Sequence, residues 1–121
     1  MSGYFEINKT KDGQFYFNLK AGNHEIILSS ELYTTRTACE NGIESVKINS
    51  QKKAQYDNRE AKNGSPYFVL KAGNGQEIGR SEMFEGAIQL DNAIESVQRC
   101  GSTEAIKDKT EAIWSKRSND S

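Results

Sequence analysis

The five residues Leu-Lys-Ala-Gly-Asn occur at positions 19–23 and again at 70–74. Sliding the chain against itself at an offset of 51 aligns residues 5–50 with 56–101 without a gap, and 17 of the 46 pairs are identical. The identities form blocks. Tyr16-Phe17 and residues 19–23 match Tyr67-Phe68 and 70–74; Ser30-Glu31 matches Ser81-Glu82; Asn41 and residues 43–46 match Asn92 and 94–97. A fixed internal period limits architecture more than any single residue does. Two copies are too few for a solenoid, so the pattern implies a pseudo-dimer in which each half completes the other.

Each copy reads as three strands and a helix. Residues 4–9 alternate Phe5 and Ile7 against Glu6 and Asn8, the period of a half-buried strand. Asp12-Gly13 is a hairpin signal. The next strand, 15–20, places Phe15, Phe17 and Leu19 on one face and Tyr16, Asn18 and Lys20 on the other. Gly22 and Asn23 tolerate positive φ, so 21–24 is a tight connection to a third strand, 25–29. The second copy repeats the scheme at 66–71, 72–75 and 76–80. The repeated pentapeptide is therefore a strand end plus its turn, which needs no ligand. The inward face of the third strand is ambiguous, because Ile27 matches Ile78 while Ile26 and Leu28 match Glu77 and Gly79. A helix over about 35–48, capped by Thr34 or Thr35, carries the stripe Cys39, Ile43, Val46; its mate carries Leu90, Ile94, Val97. A short closing strand is expected after each helix, at 54–60 and 104–107. The first is equivalent to residues 4–9, a natural place for strand exchange between the halves.

Composition sets the class. The apolar fraction of 35% is low for a globular chain, which suits one sheet covered on one face. Sixteen basic residues against seventeen acidic ones give no surplus for phosphate contacts, so nucleic acid is not expected as a partner. The longest apolar run is Ile26-Ile27-Leu28, far short of the roughly 20 residues of a membrane span. The first ten residues lack a basic, apolar leader. The expectation is a cytoplasmic protein with free thiols at Cys39 and Cys100, Cys39 buried in a core position and Cys100 nearer solvent.

The twice-written pattern F-x-L-K-A-G-N, then S-E-x-(Y/F), then N-x-I-E-S-V, resembles the duplicated branch of the YegP-like family, small bacterial proteins that carry a domain of unknown function. The likeness covers residues 3 to about 110. It implies an α+β fold of tandem β3-α-β units forming a single, mostly antiparallel sheet, with two helices on one face and swapped closing strands. It brings no activity, cofactor or catalytic residue. The expected organisation is one duplicated domain, 1–110, with repeats at about 3–53 and 54–110, and a polar tail at 111–121 that holds the only tryptophan, Trp114.

Catalytic constellations are missing from the sequence. The single histidine, His24, has Gly75 as its mate and reads as a turn residue. There is no second histidine or Cys-x-x-Cys spacing for zinc and no nucleophile motif. Gly73 to Gly79 precedes a strand and lacks G-K-(S/T), so it is no phosphate loop. No catalytic residue, metal or cofactor is assigned. What stands out is recurrence at polar positions that duplication leaves free to drift: Lys20 and Lys71, Asn23 and Asn74, Glu31 and Glu82, Asn41 and Asn92, Glu44 and Glu95, Ser45 and Ser96. Recent duplication explains this without a ligand. A pseudo-two-fold polar surface with two equivalent half-sites explains it with one. The functional expectation is a non-enzymatic binding or interaction module, with a protein partner or self-association; the alternative is a small-molecule sensor or enzyme with a site at the junction of the repeats.

Overall fold

A computed structural model describes residues 3–110. The tail from 111, with Trp114, lies outside the described residues, and so does the sequence expectation for it. In chain order the elements are β1 (Tyr4–Lys9), β2 (Phe15–Lys20), β3 (Ile26–Ser30), α1 (Arg36–Asn49), a single 3₁₀ turn (Lys53–Gln55), β4 (Tyr56–Glu60), β5 (Pro66–Lys71), β6 (Glu77–Arg80), α2 (Ala87–Cys100) and β7 (Ile106–Asp108). The strands form one seven-stranded sheet in the order β4-β5-β6-β3-β2-β1-β7. Every pairing is antiparallel except β1 with β7. The expected α+β architecture of two tandem β3-α-β units is what forms.

Four hairpin connections share one hydrogen-bond pattern. Thr10 N donates to Gln14 O and Gly13 N to Thr10 O; the same pair of bonds closes Ala21–Glu25, Ala61–Ser65 and Ala72–Gln76. The fourth residue of each loop has positive φ: Gly13 (91°), His24 (72°), Gly64 (88°) and Gly75 (86°). This left-handed position is the reason for glycine in three of them. Asn23 Oδ1 accepts from Glu25 N at 3.1 Å, and Asn74 Oδ1 from Gln76 N at 3.0 Å. The recurring pentapeptide thus closes two equivalent turns.

The core lies between the sheet and the two helices. Phe5, Ile7, Phe17, Leu19 and Leu28 from the first repeat and Phe68, Leu70 and Ile78 from the second meet the helix residues Cys39, Ile43, Val46, Leu90, Ile94 and Val97 in one buried cluster. Each helix packs on strands of both repeats: α1 on β2, β5 and β6, and α2 on β5, β3 and β2. The third-strand ambiguity resolves to Leu28 and Ile78, both buried, with Ile27 only partly so. Equivalent register shifts at Leu19/Lys20 and Leu70/Lys71 leave Ile27 and Ile78 as the extra residues of their strands, a bulge that resets which residue faces inward; the copies then differ because Gly79 has no side chain to place where Leu28 is buried. Cys100, expected nearer solvent, is also buried, at 4% exposed, because the C-terminal ends of the helices meet.

That meeting marks a pseudo-two-fold axis. Ser29 on β3 pairs with its own repeat mate, Arg80 on β6. Ser50 and its mate Gly101 cap the two helices and touch, so closely that a Cβ on Gly101 would lie 2.6 Å from Ser50 Cβ. A closing strand crosses between the halves about this axis. After α1 the chain enters β4, the equivalent of β1, which pairs with β5 of the second repeat as β1 pairs with β2; after α2 it returns through β7 to β1 of the first. Polar contacts secure that return: Thr103 Oγ1 donates to Gly3 O at 3.0 Å, Lys47 pairs with Glu104 at 3.0 Å, and Arg36 at the start of α1 pairs with Asp108. No helix of the described residues is long and apolar enough to cross a membrane.

Candidate functional site

Two clefts open where the helices leave the sheet, and they are copies of one another. The first, about 310 Å³, lies between α1 and the β5–β6 end of the second repeat; Asn41, Ser45, Glu31, Leu32, Gln76 and Glu77 stand on its walls. The second, about 280 Å³, lies between α2 and β3 of the first repeat; Asn92, Ser96, Glu82, Glu25 and Ile26 stand on its walls. All nine residues lining the second cleft have their repeat mates, 51 positions away, in the lining of the first. Each cleft therefore combines a helix from one repeat with a strand or turn from the other.

Helical periodicity explains the placement. Cys39, Ile43 and Val46 point at the sheet, while Asn41 and Ser45, on one flank of α1, face across to the second repeat; α2 repeats this with Asn92 and Ser96. Glu31 and Glu82 follow serines that hold the end of the third strand. Ser30 Oγ accepts from Phe17 N at 2.9 Å and donates to Glu31 O at 2.7 Å; Ser81 Oγ accepts from Phe68 N at 3.1 Å and donates to Glu82 O at 2.7 Å. The recurring Ser-Glu dipeptide is thus half structural and half cleft wall. The side chains of Asn41, Asn92, Glu31 and Glu82 make no hydrogen bond to another described residue, whereas Ser96 Oγ accepts from Arg99 at 3.2 Å.

The clefts are acidic. The first holds Glu31 and Glu77, the second Glu25 and Glu82, and no lysine, arginine, histidine or cysteine appears among the described lining residues of either. Glu77 is bonded to Arg59 at 2.8 Å, whose guanidinium holds its carboxyl below the usual range. Burial, followed by the nearby Cys39 and Glu31, raises the Tyr33 hydroxyl, so it stays a neutral donor at the cleft floor. The rim carries exposed apolar side chains at equivalent positions, Leu32 (56% exposed) beside the first cleft and its mate Met83 (59%).

The twelve sequence-derived positions divide by place. Glu31, Asn41, Ser45, Glu82, Asn92 and Ser96 line the clefts. Asn23 and Asn74 are engaged within their turns. Lys20 and Lys71 extend from the sheet face away from the helices, paired with Glu6 at 3.1 Å and Asp57 at 3.3 Å. Glu44 is solvent-facing beside Lys47, and Glu95 is exposed. Sequence reasoning missed Leu32 and Met83, the Tyr33–Gly42 and Phe84–Ala93 pairs, and the contributions of Glu25, Gln76 and Glu77. Their signal was available: they are mates at the same offset, but not identical ones. Burial pushes the Cys39 thiol up to about 11 and raises that of Cys100 as well, so both are protonated structural thiols near neutral pH. No group of three or more potential metal ligands occurs among the described residues.

Comparison with known proteins agrees with this architecture. A family profile described as "Domain of unknown function (DUF1508)" matches residues 10–57 and again 61–108. The chain is similar to a UPF0339 protein of Acinetobacter baylyi, 52% identical over 110 residues that cover 91% of this chain and 99% of the relative. It is also similar to UPF0339 protein YegP of Escherichia coli, 48% identical over 110 residues, covering 91% and 100%. Two solution NMR structures superpose closely. A UPF0339 protein of Shewanella oneidensis gives a TM-score of 0.85 at 52% identity over 89% of this chain and 92% of the other. The Escherichia coli protein, titled as of unknown function, gives 0.86 at 48% over 90% and 94%.

Proposed function

The chain belongs to the DUF1508 family, and on that premise we propose that it is a recognition module whose two clefts are equivalent half-sites for a partner that presents the same group twice. One observation carries the reading: every residue lining the second cleft is the repeat mate of one lining the first. Carboxylates, an asparagine and a serine, with no lysine or arginine among the described lining residues and only Glu77 already bonded to Arg59, suit a positively charged group with hydrogen-bond donors, such as a guanidinium or an ammonium. The apolar rim at Leu32 and Met83 suits the aliphatic stem of such a side chain. A protein surface with two-fold symmetry, or a second copy of this chain, presents such groups in pairs. Duplicated polar walls serve repeated recognition better than one asymmetric reaction, which favours binding over the sensor or enzyme alternative at the same junction.

The test is a titration of isotopically labelled protein with arginine amide, followed by a probe of two arginines joined by a flexible linker. The side-chain amides of Asn41 and Asn92 should move together, and the tethered probe should bind more tightly by the effective concentration of its second arm. Movement in one cleft alone, or only elsewhere on the surface, overturns the reading.

A further inference from the structure

Three of the four matching hairpins place glycine at their left-handed position; the fourth places the only histidine of the chain there, His24 at φ 72°. Its repeat mate in the equivalent turn is Gly75. A side chain at such a φ is uncommon outside glycine, with asparagine, aspartate and histidine the better-tolerated exceptions, and strain of this kind persists where the surroundings or a function hold it. The turn itself makes the same two backbone bonds with either residue, so the hairpin gives no reason for an imidazole.

The reason lies beside it. Gly3, Tyr4, Gly22, His24, Ala105, Ile106 and Lys107 line an open-sided cavity of about 370 Å³ at the β1–β7 edge, within the size range of small-molecule pockets, about 300–1,000 Å³. Tyr4 Oη and His24 Nδ1 are 3.0 Å apart, and the rings meet edge to face at 5.8 Å. A phenol donating to Nδ1 selects the tautomer that keeps its proton on Nε2, free to donate to a ligand. Lys107 Nζ lies 5.0 Å over the Tyr4 ring and pairs with no carboxylate among the described residues, unlike Lys20 and Lys71 in the same sheet face. Ile106, 47% exposed, supplies an apolar wall. β7 delivers Ile106 and Lys107 only because the chain crosses back from the second repeat, and among the described residues no strand lies beside β4 in the same way.

We propose that this cavity is a binding site for a small carboxylate with an apolar body. His24 Nε2 and Lys107 Nζ receive the carboxylate, and Tyr4, Ala105 and Ile106 cover the body. One imidazole and one ammonium match a single negative charge better than the double charge of a phosphate ester. The site is independent of the twin clefts.

The experiment titrates the full chain with sodium benzoate, with acetate and with inorganic phosphate in parallel, reading the resonances of Tyr4, His24, Ile106 and Lys107. Benzoate should shift them saturably, and acetate and phosphate should bind at least about tenfold more weakly, a difference of roughly 1.4 kcal/mol. His24→Gly, which installs the residue of the other three hairpins, should abolish the benzoate response while leaving the melting temperature unchanged or higher. Lys107→Ala should weaken benzoate without unfolding the protein. Gly75→His, the control, should lower the melting temperature and create no second site. Absence of a saturable benzoate response, equal affinity in His24→Gly, or phosphate binding more tightly than benzoate overturns the proposal.

Discussion

Tyr33 and Gly42 of the first repeat become Phe84 and Ala93 in the second: one hydroxyl is exchanged for one methyl. The reason is spatial. A Cβ on Gly42 would sit 2.5 Å from Tyr33 Oη and 2.9 Å from its Cζ, closer than packed atoms tolerate. Gly42→Ala should therefore destabilise the protein, and adding Tyr33→Phe should recover much of the loss. A double-mutant cycle by chemical denaturation should give a favourable coupling of about 0.5–3 kcal/mol; additive effects would separate the two residues. Glu6 makes a second prediction at this scale. Burial works to raise its carboxyl, but the Lys20 and Asn8 hydrogen bonds and the charges of Lys20 and Lys109 outweigh it, so its pKa in the fold is lowered. A depressed carboxylate stabilises the fold above its unfolded pKa of about 4.3, and that stabilisation is lost as pH falls through the lower folded value. Wild type should exceed Glu6→Gln in stability near neutral pH, and the gap should shrink in acid below about pH 4.3. A gap independent of pH would remove Glu6 from the acid transition.

Among the elements, the second strand of each repeat was the most legible. Alternation in residues 15–20 and 66–71 fixed the inward face, and Leu19 and Leu70 are both fully buried. Leu19→Ala and Leu70→Ala should each cost about 2–5 kcal/mol, the range for truncating a buried leucine, measured as a shift in denaturation midpoint. An unchanged midpoint for either would mean that strand's core contacts are dispensable. Thr35 was one of the two proposed caps, and its Oγ1 accepts from Ala38 N at 3.1 Å. The third strands were not legible, because their bulges reset the parity and a bulge has no letter of its own. Gly79 shows the cost of that. Its mate Leu28 fills the core, yet a Cβ on Gly79 would lie 2.5 Å from Ser29 O, so the tight crossing of β3 and β6 requires glycine there.

At the scale of the whole molecule, neither repeat keeps its own core. Helix α1 rests partly on β5 and β6, and β7 completes the first repeat from the far end of the second. Chains of about fifty residues bury too little surface to stand alone readily, and this half would also leave one helix flank bare. Residues 1–53 expressed separately should be unfolded, or should dimerise by supplying the missing half from a second copy. Sedimentation together with circular dichroism distinguishes these states, and a stable folded monomer would defeat the exchanged-strand account.

The sequence by itself determined the repeat, the order of elements, the core stripe of each helix and the exclusion of a membrane-spanning helix. Each of these is a local periodicity or an offset of the chain against itself, written in neighbouring residues. It also marked Asn41, Ser45 and Glu31 with their mates as recurring polar positions, without saying what they face. Only the tertiary structure decided that these six line two clefts while Lys20, Lys71, Asn23 and Asn74 do not. Pairing of β3 with β6 brings α1 beside β6 across about 30–45 residues of chain, and α2 beside β3 across about 55–75, and no local period encodes a contact between one repeat's helix and the other's strand. The return of the chain through β7 carries Lys107 to Tyr4 and His24, and so adds to one end of a symmetric sequence a strand that, among the described residues, the other end does not have.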